Sequence, residues 1–347
     1  MANSTPLPPV DANQRDSTGI GVGVIIPCYR VSRQIMKVLS AIGPECKRVY
    51  VVDDGCPEGS GDVVVSQCAD PRVRVLRHRQ NCGVGAAMAT GYRAALEDGM
   101  DILVKIDGDG QMDSRFIPLL ARYVASGEAD YAKGNRFSEP SHLRGMPVAR
   151  LIGNAALSFM TKLSTGYWNI FDPTNGFTAI HAEVIRRIPM DKLASRFFFE
   201  SDILFRLALL RAKIVDISMP AYYGAERSNL KALSSIPLFC SGHIKNFLKR
   251  LGYSYFIKDF TLASLQFVVG VLFCAFGTAF GAFVWYRNAK AGVLTNVGTV
   301  MIAVLPIILG VQFLLAFMAY DIAALPRKAV HAALRRNRLD FGDEKRG

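Results

Sequence analysis

Apolar residues in the first third of the chain come in short runs, and each run is followed by a plausible helix. The runs are rich in β-branched residues, which is typical of buried strands. Strands that alternate with helices predict a parallel sheet covered by helices on both faces. The predicted strands are Gly23–Pro27, Arg48–Asp54, Val73–Arg77 and Ile102–Asp107.

Two much longer apolar runs without charged residues lie near the C-terminus, at Thr261–Tyr286 and Val297–Tyr320. As helices they would be roughly 39 and 36 Å long, enough for a hydrocarbon core of about 30 Å. Buried core helices rarely run so far without a charge. The pattern therefore predicts two membrane spans.

A third pattern precedes the first span, where apolar residues recur at i, i+3, i+4 and i+7 and basic residues lie off that stripe. This spacing predicts an amphipathic helix that lies on the membrane surface. The apolar positions are Ile244, Phe247, Leu248 and Leu251.

The composition agrees with a membrane protein, since half of the 347 residues are hydrophobic and the mean hydropathy is positive. The net charge of +12 would suit a nucleic acid, but the basic residues flank the two spans, and the loop between the spans holds only Arg287 and Lys290. This placement predicts a hairpin with both chain ends in the cytoplasm and argues against a nucleic-acid partner. The seven cysteines form no C-x-x-C pair, so neither a zinc site nor a disulfide framework is indicated.

These patterns divide the chain into six predicted regions. They are a disordered leader at 1–19, an α/β domain at 20–235, an interfacial helical region at 236–260, transmembrane helices at 261–286 and 297–320, and a basic cytoplasmic tail at 326–347.

Candidate chemistry begins where the fourth strand ends. Asp107 and Asp109 alternate along an extended chain, so both carboxylates can bind one hard cation, and Gln111 can add a neutral oxygen. A solvated turn is the alternative, because Asp and Gly are ordinary turn residues. A helix-loop-helix calcium site does not fit, since Met112 and Pro118 occupy its glycine and glutamate positions.

The first two strand ends also carry polar or aromatic residues. Pro27 ends the first strand, and Tyr29 offers a ring and a hydroxyl to a nucleobase or ribose, or else only packs. Asp53 and Asp54 follow the second strand and suit base N–H groups or ribose hydroxyls. Either one is equally able to cap a helix that starts near Pro57.

Gly83 and Gly85 open the helix after the third strand. A dinucleotide-binding loop would have its third glycine where Met88 stands, so close packing of the helix on the sheet explains the small residues better. Gly85 is nevertheless a candidate nucleotide-binding residue.

Six motifs in a fixed order together resemble inverting glycosyltransferase family 2. With the C-terminal hairpin, the chain looks most like the polyprenyl-phosphate glycosyltransferases, the branch that contains dolichol-phosphate mannose synthase. The resemblance covers roughly residues 22–322; Cys56 stands where the family often has Ser, and the segment near Arg227 is not a close match. The motifs are Val24–Tyr29, Val51–Gly55, Asn81–Ala87 with Gly91, Asp107–Gln111, Gly134–Phe137 and Asn175–Phe177.

For the donor side, the resemblance implies a GT-A type nucleotide-binding fold with a mostly parallel sheet. Asp53 and Asp54 would hold the base, and Asp107 the ribose side of a nucleotide-sugar. Asp109 and Gln111 would bind Mg²⁺ or Mn²⁺ at the diphosphate, and Asp109 would thereby be catalytic.

For the acceptor side, the resemblance implies arginines that bind phosphates at Arg136, Arg150 and Arg227, with Lys231 as a further candidate. Glu200 lies where relatives that act on sugar hydroxyls place a base. A structural role at a helix N-terminus is slightly favoured for it, because an acceptor phosphate is already ionised and needs no base.

The implied function is transfer of a sugar from a UDP- or GDP-sugar to a polyprenyl phosphate, by a multi-pass membrane protein whose catalytic domain is cytoplasmic, in a bacterial inner membrane. A tetramer is expected by analogy with the family. Two alternatives remain: a polysaccharide synthase acting on a sugar hydroxyl, which would carry a Gln-x-x-Arg-Trp motif that this sequence lacks, and a non-catalytic, membrane-anchored nucleotide-sugar-binding protein.

Overall fold

In the described residues, 19–137, 148–219 and 232–336, the computed structural model has one seven-stranded sheet. Side chains at 148–150 and 232–236 are outside the description. The first four strands are those that the apolar runs predict. The strands are β1 (Val22–Cys28), β2 (Arg48–Asp53), β3 (Val73–Arg77), β4 (Ile102–Lys105), β5 (Tyr131–Asn135), β6 (Thr178–His181) and β7 (Ile214–Ser218).

The sheet has the strand order β3-β2-β1-β4-β6-β5-β7. Strand β6 alone runs against its neighbours, while β1 pairs in parallel with β2 and β4, and β5 with β7. The predicted mostly parallel α/β sheet is thus confirmed. Because six strands point the same way, their carboxyl ends meet at one edge, where ligands bind in sheets of this kind.

Helices cover both faces of the sheet. One core cluster lies under α1, α2 and α4, and the other lies under α3, α6 and α7. The helices of this domain are α1 (Ile35–Ser40), α2 (Ser60–Gln67), α3 (Val84–Glu97), α4 (Ile117–Ala125), α5 (Val148–Thr165), α6 (Ala182–Ile185) and α7 (Phe199–Leu209).

The C-terminal hairpin consists of α9 (Leu262–Ala291) and α10 (Val297–Ala323). By length and composition, both helices are able to cross a membrane. They pack closely where glycine faces the partner helix: a Cβ at Gly277 would lie 2.5 Å from the carbonyl oxygen of Ala303. The helices extend a few residues beyond the predicted spans at their C-terminal ends.

Helix α8 (Ala232–Gly252) connects the sheet domain to the hairpin through a π-helical turn at Tyr253–Lys258. The domain boundary predicted at residue 235 lies inside this helix. The predicted apolar stripe is divided: Ile244 and Leu248 are each 59% exposed, whereas Leu251 is buried. Helix α8 thus presents one apolar face outward and packs the other against α5 and α7.

The chain after α10 returns to the sheet domain. Leu325, Val330 and Leu334 pack against the core cluster under α7. The predicted cytoplasmic tail is therefore docked on the catalytic domain as far as residue 336, where the described part ends.

Candidate functional site

A buried lysine lies at the carboxyl end of β4, between two acidic side chains. Lys105 is 2% exposed, and its Nζ lies 3.0 Å from Asp107 Oδ1 and 3.1 Å from Glu200 Oε1. Burial opposes the charged amine, but the charges of Asp107 and Glu200 outweigh it and raise the pKa of Lys105. Lys105 therefore remains protonated and joins the strand-end loop to the first turn of α7.

Gly176 closes over this ion pair. A Cβ at position 176 would overlap Lys105 Nζ and lie 2.9 Å from Asp107 Oδ2. Only glycine lets the backbone come so close to both charged groups. This explains the glycine of the Asn175–Phe177 motif.

The loop after β4 carries the predicted metal ligands. Asp107 is one-third exposed, and Asp109 and Gln111 are half-buried. Asp109 Oδ1 accepts a hydrogen bond of 3.0 Å from the backbone N–H of Gln111. Two accessible carboxylates with an amide oxygen nearby fit Mg²⁺ or Mn²⁺, which take oxygen ligands and need few from the protein when phosphates supply the rest.

Arg136 follows β5 and is held by Asp172. Its Nε and Nη2 donate to the two carboxylate oxygens at 2.8 and 3.0 Å, and its backbone N–H donates to Oδ2 at 3.2 Å. Asp172 is completely buried, whereas 30% of the Arg136 side chain is exposed. A bidentate pair of this kind orients the guanidinium plane.

A second buried lysine lies behind Arg136. Lys133 of β5 donates to the carbonyl oxygen of Asn175. Burial lowers the pKa of Lys133 to about 8, although Asp172 and Asp216 oppose the shift. Lys105 and Lys133 therefore both lie against the Asp172–Gly176 segment.

The two aspartates at the end of β2 bind the protein's own backbone. Asp53 accepts hydrogen bonds from the N–H groups of Cys56 at 2.8 Å and Gly61 at 2.7 Å, so it stabilises the start of α2. Asp54 accepts from the N–H groups of Cys82 at 2.9 Å and Gly83 at 2.7 Å. Both carboxylates are buried, and their predicted contact with a base stays a prediction.

Among the described residues, the ligand atoms of Asp54, His78 and Cys82 are near enough to one another to suggest a metal cluster. His78 Nδ1, however, lies 2.7 Å from Asp54 Oδ1, and its Nε2 lies 2.9 Å from the hydroxyl of Thr90. These distances are those of a hydrogen-bond network. We therefore interpret the cluster as the support of the loop before α3.

Pro27, Tyr29 and Gly85 lie at the same edge of the sheet. Pro27 is the penultimate residue of β1, and the guanidinium of Arg30 lies 5.4 Å from the ring centroid of Tyr29. The N–H of Gly85 donates to the carbonyl oxygen of Ser195 at 2.8 Å, and a Cβ on Gly85 would overlap the Ala194 carbonyl. This contact agrees with the packing explanation for the glycines of α3.

Three predicted phosphate-binding residues have no described side chain. Arg150 lies in the first turn of α5, where only the backbone is described. Arg227 and Lys231 lie outside the described residues.

Comparison with known proteins places this chain in a family. The sequence pattern of "Glycosyl transferase family 2" matches residues 23–188. The chain is 33% identical to "Undecaprenyl-phosphate mannosyltransferase" of Micrococcus luteus over 198 residues, which cover 56% of this chain and 80% of that protein. The chain belongs to glycosyl transferase family 2. The predicted enzyme class, a glycosyltransferase, is thereby confirmed.

A second relative lies in the same branch of glycosyl transferase family 2. The chain is 31% identical to "Polyprenol monophosphomannose synthase" of Mycolicibacterium smegmatis over 188 residues, or 53% of this chain and 70% of that protein. The names of both relatives confirm the resemblance to the polyprenyl-phosphate branch.

The family fold agrees with a solved structure. Glucosyl-3-phosphoglycerate synthase from Mycobacterium tuberculosis, in complex with Mn²⁺, UDP and glucosyl-3-phosphoglycerate, superposes with a TM-score of 0.51 at 20% identity. The match covers 67% of this chain and 80% of that one. The GT-A type fold predicted from the sequence is confirmed.

The sequence motifs did not single out Lys105 or Asp172 as site residues. A lysine inside an otherwise apolar strand was the available signal for Lys105, because a buried amine needs acidic partners. Asp172 gave a weaker signal, since the Asp-Pro pair before the Asn175–Phe177 motif is also common in ordinary turns.

Proposed function

We propose that this protein is an inverting glycosyltransferase that moves a sugar from a nucleotide-sugar to a polyprenyl phosphate on the cytoplasmic side of a membrane. One observation carries the choice of acceptor: the Glu200 carboxylate is bound to the buried ammonium of Lys105. Oε1 of Glu200 accepts a hydrogen bond from Lys105 and is not available to accept a proton from an acceptor, whereas a hydroxyl acceptor would need a general base. A phosphate acceptor is already ionised and needs none.

The donor would lie across the carboxyl ends of β1, β2 and β4. Tyr29 offers a ring at one side of this edge, and Asp107 offers a carboxylate for the ribose side of the nucleotide. Asp53 and Asp54 shape the intervening loops through their backbone contacts, which gives them a positioning role in nucleotide binding. We propose a UDP- or GDP-sugar as the donor.

Asp107, Asp109 and Gln111 would hold Mg²⁺ or Mn²⁺, which when bound stabilises the charge of the nucleoside diphosphate leaving group. The protein's own contribution is to fix these side chains. Lys105 orients Asp107, and the backbone N–H of Gln111 orients Asp109.

The acceptor phosphate would bind at Arg136. Asp172 orients the guanidinium of Arg136. The exposed part of that guanidinium suits the oxygens of a phosphate. Catalysis then consists of aligning the phosphate oxygen with the sugar and neutralising charge. Arg150, Arg227 and Lys231 are proposed as further phosphate ligands by analogy with the family.

The lipid part of the acceptor would approach along the outer faces of α5 and α8. Ile152 and Phe159 of α5 are 64% and 51% exposed, and Ile244 and Leu248 of α8 are exposed to a similar degree. Apolar faces of this kind suit a membrane surface. With the basic flanks of the hairpin, they support a catalytic domain that rests on the cytoplasmic leaflet.

The proposal is tested by incubating membranes that contain the full chain with labelled UDP- and GDP-sugars and a polyprenyl phosphate. We expect label in the organic extract with one donor. Label in a water-soluble glycan instead would favour a hydroxyl acceptor, and no transfer with any donor would favour a non-catalytic binding protein.

Two substitutions separate the acceptor classes. Glu200→Gln should keep much of the activity, because the amide still accepts a hydrogen bond from Lys105. Arg136→Lys should lose most of it, because an ammonium cannot replace the paired hydrogen bonds of the guanidinium. An inactive Glu200→Gln enzyme beside an active Arg136→Lys enzyme would contradict the phosphate acceptor.

A further inference from the structure

A buried ion pair joins the C-terminal hairpin to the sheet domain. Arg250 of α8 donates from Nη1 and Nη2 to the two carboxylate oxygens of Asp321 in α10, at 2.6 and 3.1 Å, and both side chains are 6% exposed. The Tyr255 hydroxyl and Trp168 Nε1 donate to the same carboxylate, the latter at 2.9 Å. A buried carboxylate with this many donors forms a rigid joint.

The loop at residues 166–172, here the junction loop, starts at this joint. A Cβ at Gly166, whose φ is +78°, would lie 2.6 Å from Arg250 Nη1, so glycine is required there. Arg250 Nη2 also donates to the carbonyl oxygen of Leu163, just before the loop, at 2.8 Å. The hairpin and the chain just before the junction loop thus bind the same guanidinium, and Gly166 of the loop packs against it.

The junction loop then runs beside the edge strand β7. The Tyr167 hydroxyl donates to the Ala212 carbonyl at 2.6 Å, and the Asn169 side chain donates to the Ile214 carbonyl at 3.3 Å. Farther along, the N–H of Phe171 donates to the Asp216 carboxylate at 3.1 Å. These three contacts limit how the loop can move relative to the sheet.

The junction loop ends at Asp172, the buried partner of Arg136. A continuous series of contacts therefore connects Asp321 at the end of α10 with the guanidinium at the candidate acceptor site. Within the junction loop, Trp168 is the residue that binds Asp321, and its ring also makes an edge-to-face contact with Phe159.

We propose that the end of the hairpin positions Arg136 for the acceptor phosphate, through Trp168 and the junction loop. Asp321 and Trp168 are then positioning residues, and the hairpin is more than a tether. The inference rests on the proposed function, because it takes Arg136 as the residue that binds the phosphate. A pure tether would matter only for acceptors embedded in a membrane.

The test uses the full chain in detergent with a short water-soluble prenyl phosphate, for which no tether is needed. Trp168→Phe removes the N–H donor but keeps a ring against Phe159 and leaves the Arg250–Asp321 pair intact. Trp285→Phe is the matched control, because Trp285 is the other tryptophan and is 72% exposed. Asp321→Asn is a second, stronger variant, and thermal melting identifies any variant that fails to fold.

We expect Trp168→Phe and Asp321→Asn to lower kcat/KM for the acceptor about tenfold or more, since a misplaced catalytic group costs rate steeply. Nucleotide affinity, measured by titration with UDP and GDP in Mn²⁺, should stay within twofold, and Trp285→Phe should match the wild type. Equal loss of nucleotide affinity would mean general damage and would overturn the inference.

Two further outcomes are distinguishable. If both Trp168→Phe and Asp321→Asn keep the kcat/KM of the wild type toward the short acceptor, the inference is overturned and the proposed function is unaffected. A wild-type enzyme that transfers sugar to no prenyl phosphate would overturn the proposed function, and the acceptor role of Arg136 with it.

Discussion

Lys105 sets the charge of the candidate site. In their ionised forms, Lys105, Asp107 and Glu200 carry a net charge of −1, and Asp109 brings the site to −2. This charge is opposite to that of a divalent cation. Lys105 thus offsets part of the repulsion between the carboxylates and leaves a net negative charge, which agrees with the proposed metal site.

The metal assignment is tested at Asp109. Asp109→Ala should abolish turnover and the Mn²⁺ dependence of nucleotide binding, because it removes a direct ligand. Asp113→Ala is the control: Asp113 accepts from the N–H of Arg115 and starts a short helical turn. Its loss should cost about 1 kcal/mol of stability and little activity. Equal loss of turnover in both variants would contradict the assignment.

Two buried histidines predict how stability depends on pH. Burial lowers the pKa of His243 to about 4, and burial together with His331 lowers the pKa of His181 to about 4, from an ordinary value of 6.5. Between pH 6.5 and 4, the unfolded chain binds protons that the folded chain does not. The contribution of these two histidines to stability should therefore be full above about pH 6.5 and should be lost as the pH drops through this window.

Each histidine should account for roughly 3 kcal/mol across the window. His243→Phe should remove about half of the loss that the two histidines cause, because Phe cannot titrate and is able to pack against Phe198 and Phe239. Melting temperatures of wild type and variant at pH 7.5, 6 and 5 test this. If the melting temperatures of wild type and His243→Phe fall equally as the pH drops, His243 does not contribute to the loss of stability in acid.

At the scale of elements, helix α8 has two faces with different tasks. Its inner face packs on α7, where Asn246 Nδ2 donates to Asp202 at 3.4 Å and Phe239 meets Phe198 edge-to-face. Its outer face carries Ile244 and Leu248. The helix therefore connects the first turns of α7, including Glu200, with the expected membrane surface.

The outer face of α8 is tested by charge. The double substitution Ile244→Glu and Leu248→Glu should lower transfer to a long polyprenyl phosphate in vesicles about tenfold or more, because a charged face leaves the membrane interface. Transfer to a short soluble acceptor should fall much less, because that acceptor does not depend on the membrane. Val65→Glu on α2 is the control, since Val65 is 62% exposed on another part of the domain. Equal effects at α2 and α8 would contradict a membrane role for α8.

At the scale of the whole molecule, the chain after α10 stabilises the sheet domain. Asp130, which is completely buried, accepts hydrogen bonds from the N–H groups of Lys213, Val330 and His331 at 2.8 to 2.9 Å. His331 Nδ1 lies 2.8 Å from the same carboxylate, and its ring stacks on His181 at 4.2 Å. One carboxylate thereby connects residues about two hundred positions apart.

Asp130→Ala should lower the free energy of unfolding by on the order of 3 kcal/mol, because several buried donors lose their acceptor. The control is Asp191→Ala, which breaks the exposed Arg93 pair. It should cost less than about 1 kcal/mol. Urea unfolding followed by tryptophan fluorescence measures both. Similar small losses would show that the terminal segment is not part of the stable fold.

The sequence alone determined the local features of this protein. Periodicity and strand-end residues predicted the first four strands, the Asp107–Gln111 loop and two helices of membrane-spanning length. These features depend on neighbours within a few residues, because strand and helix spacing are properties of the local backbone. The order of six motifs also predicted the family and its fold.

Only the tertiary structure decided which side chains meet. Lys105 and Glu200 are 95 residues apart in sequence, Trp168 and Asp321 are 153 apart, and Asp130 and His331 are 201 apart. No local pattern encodes such pairs, because strand order, the antiparallel β6 and the packing of α8 bring them together. A buried charge requires a partner, but only the packing of the folded chain determines which residue supplies it.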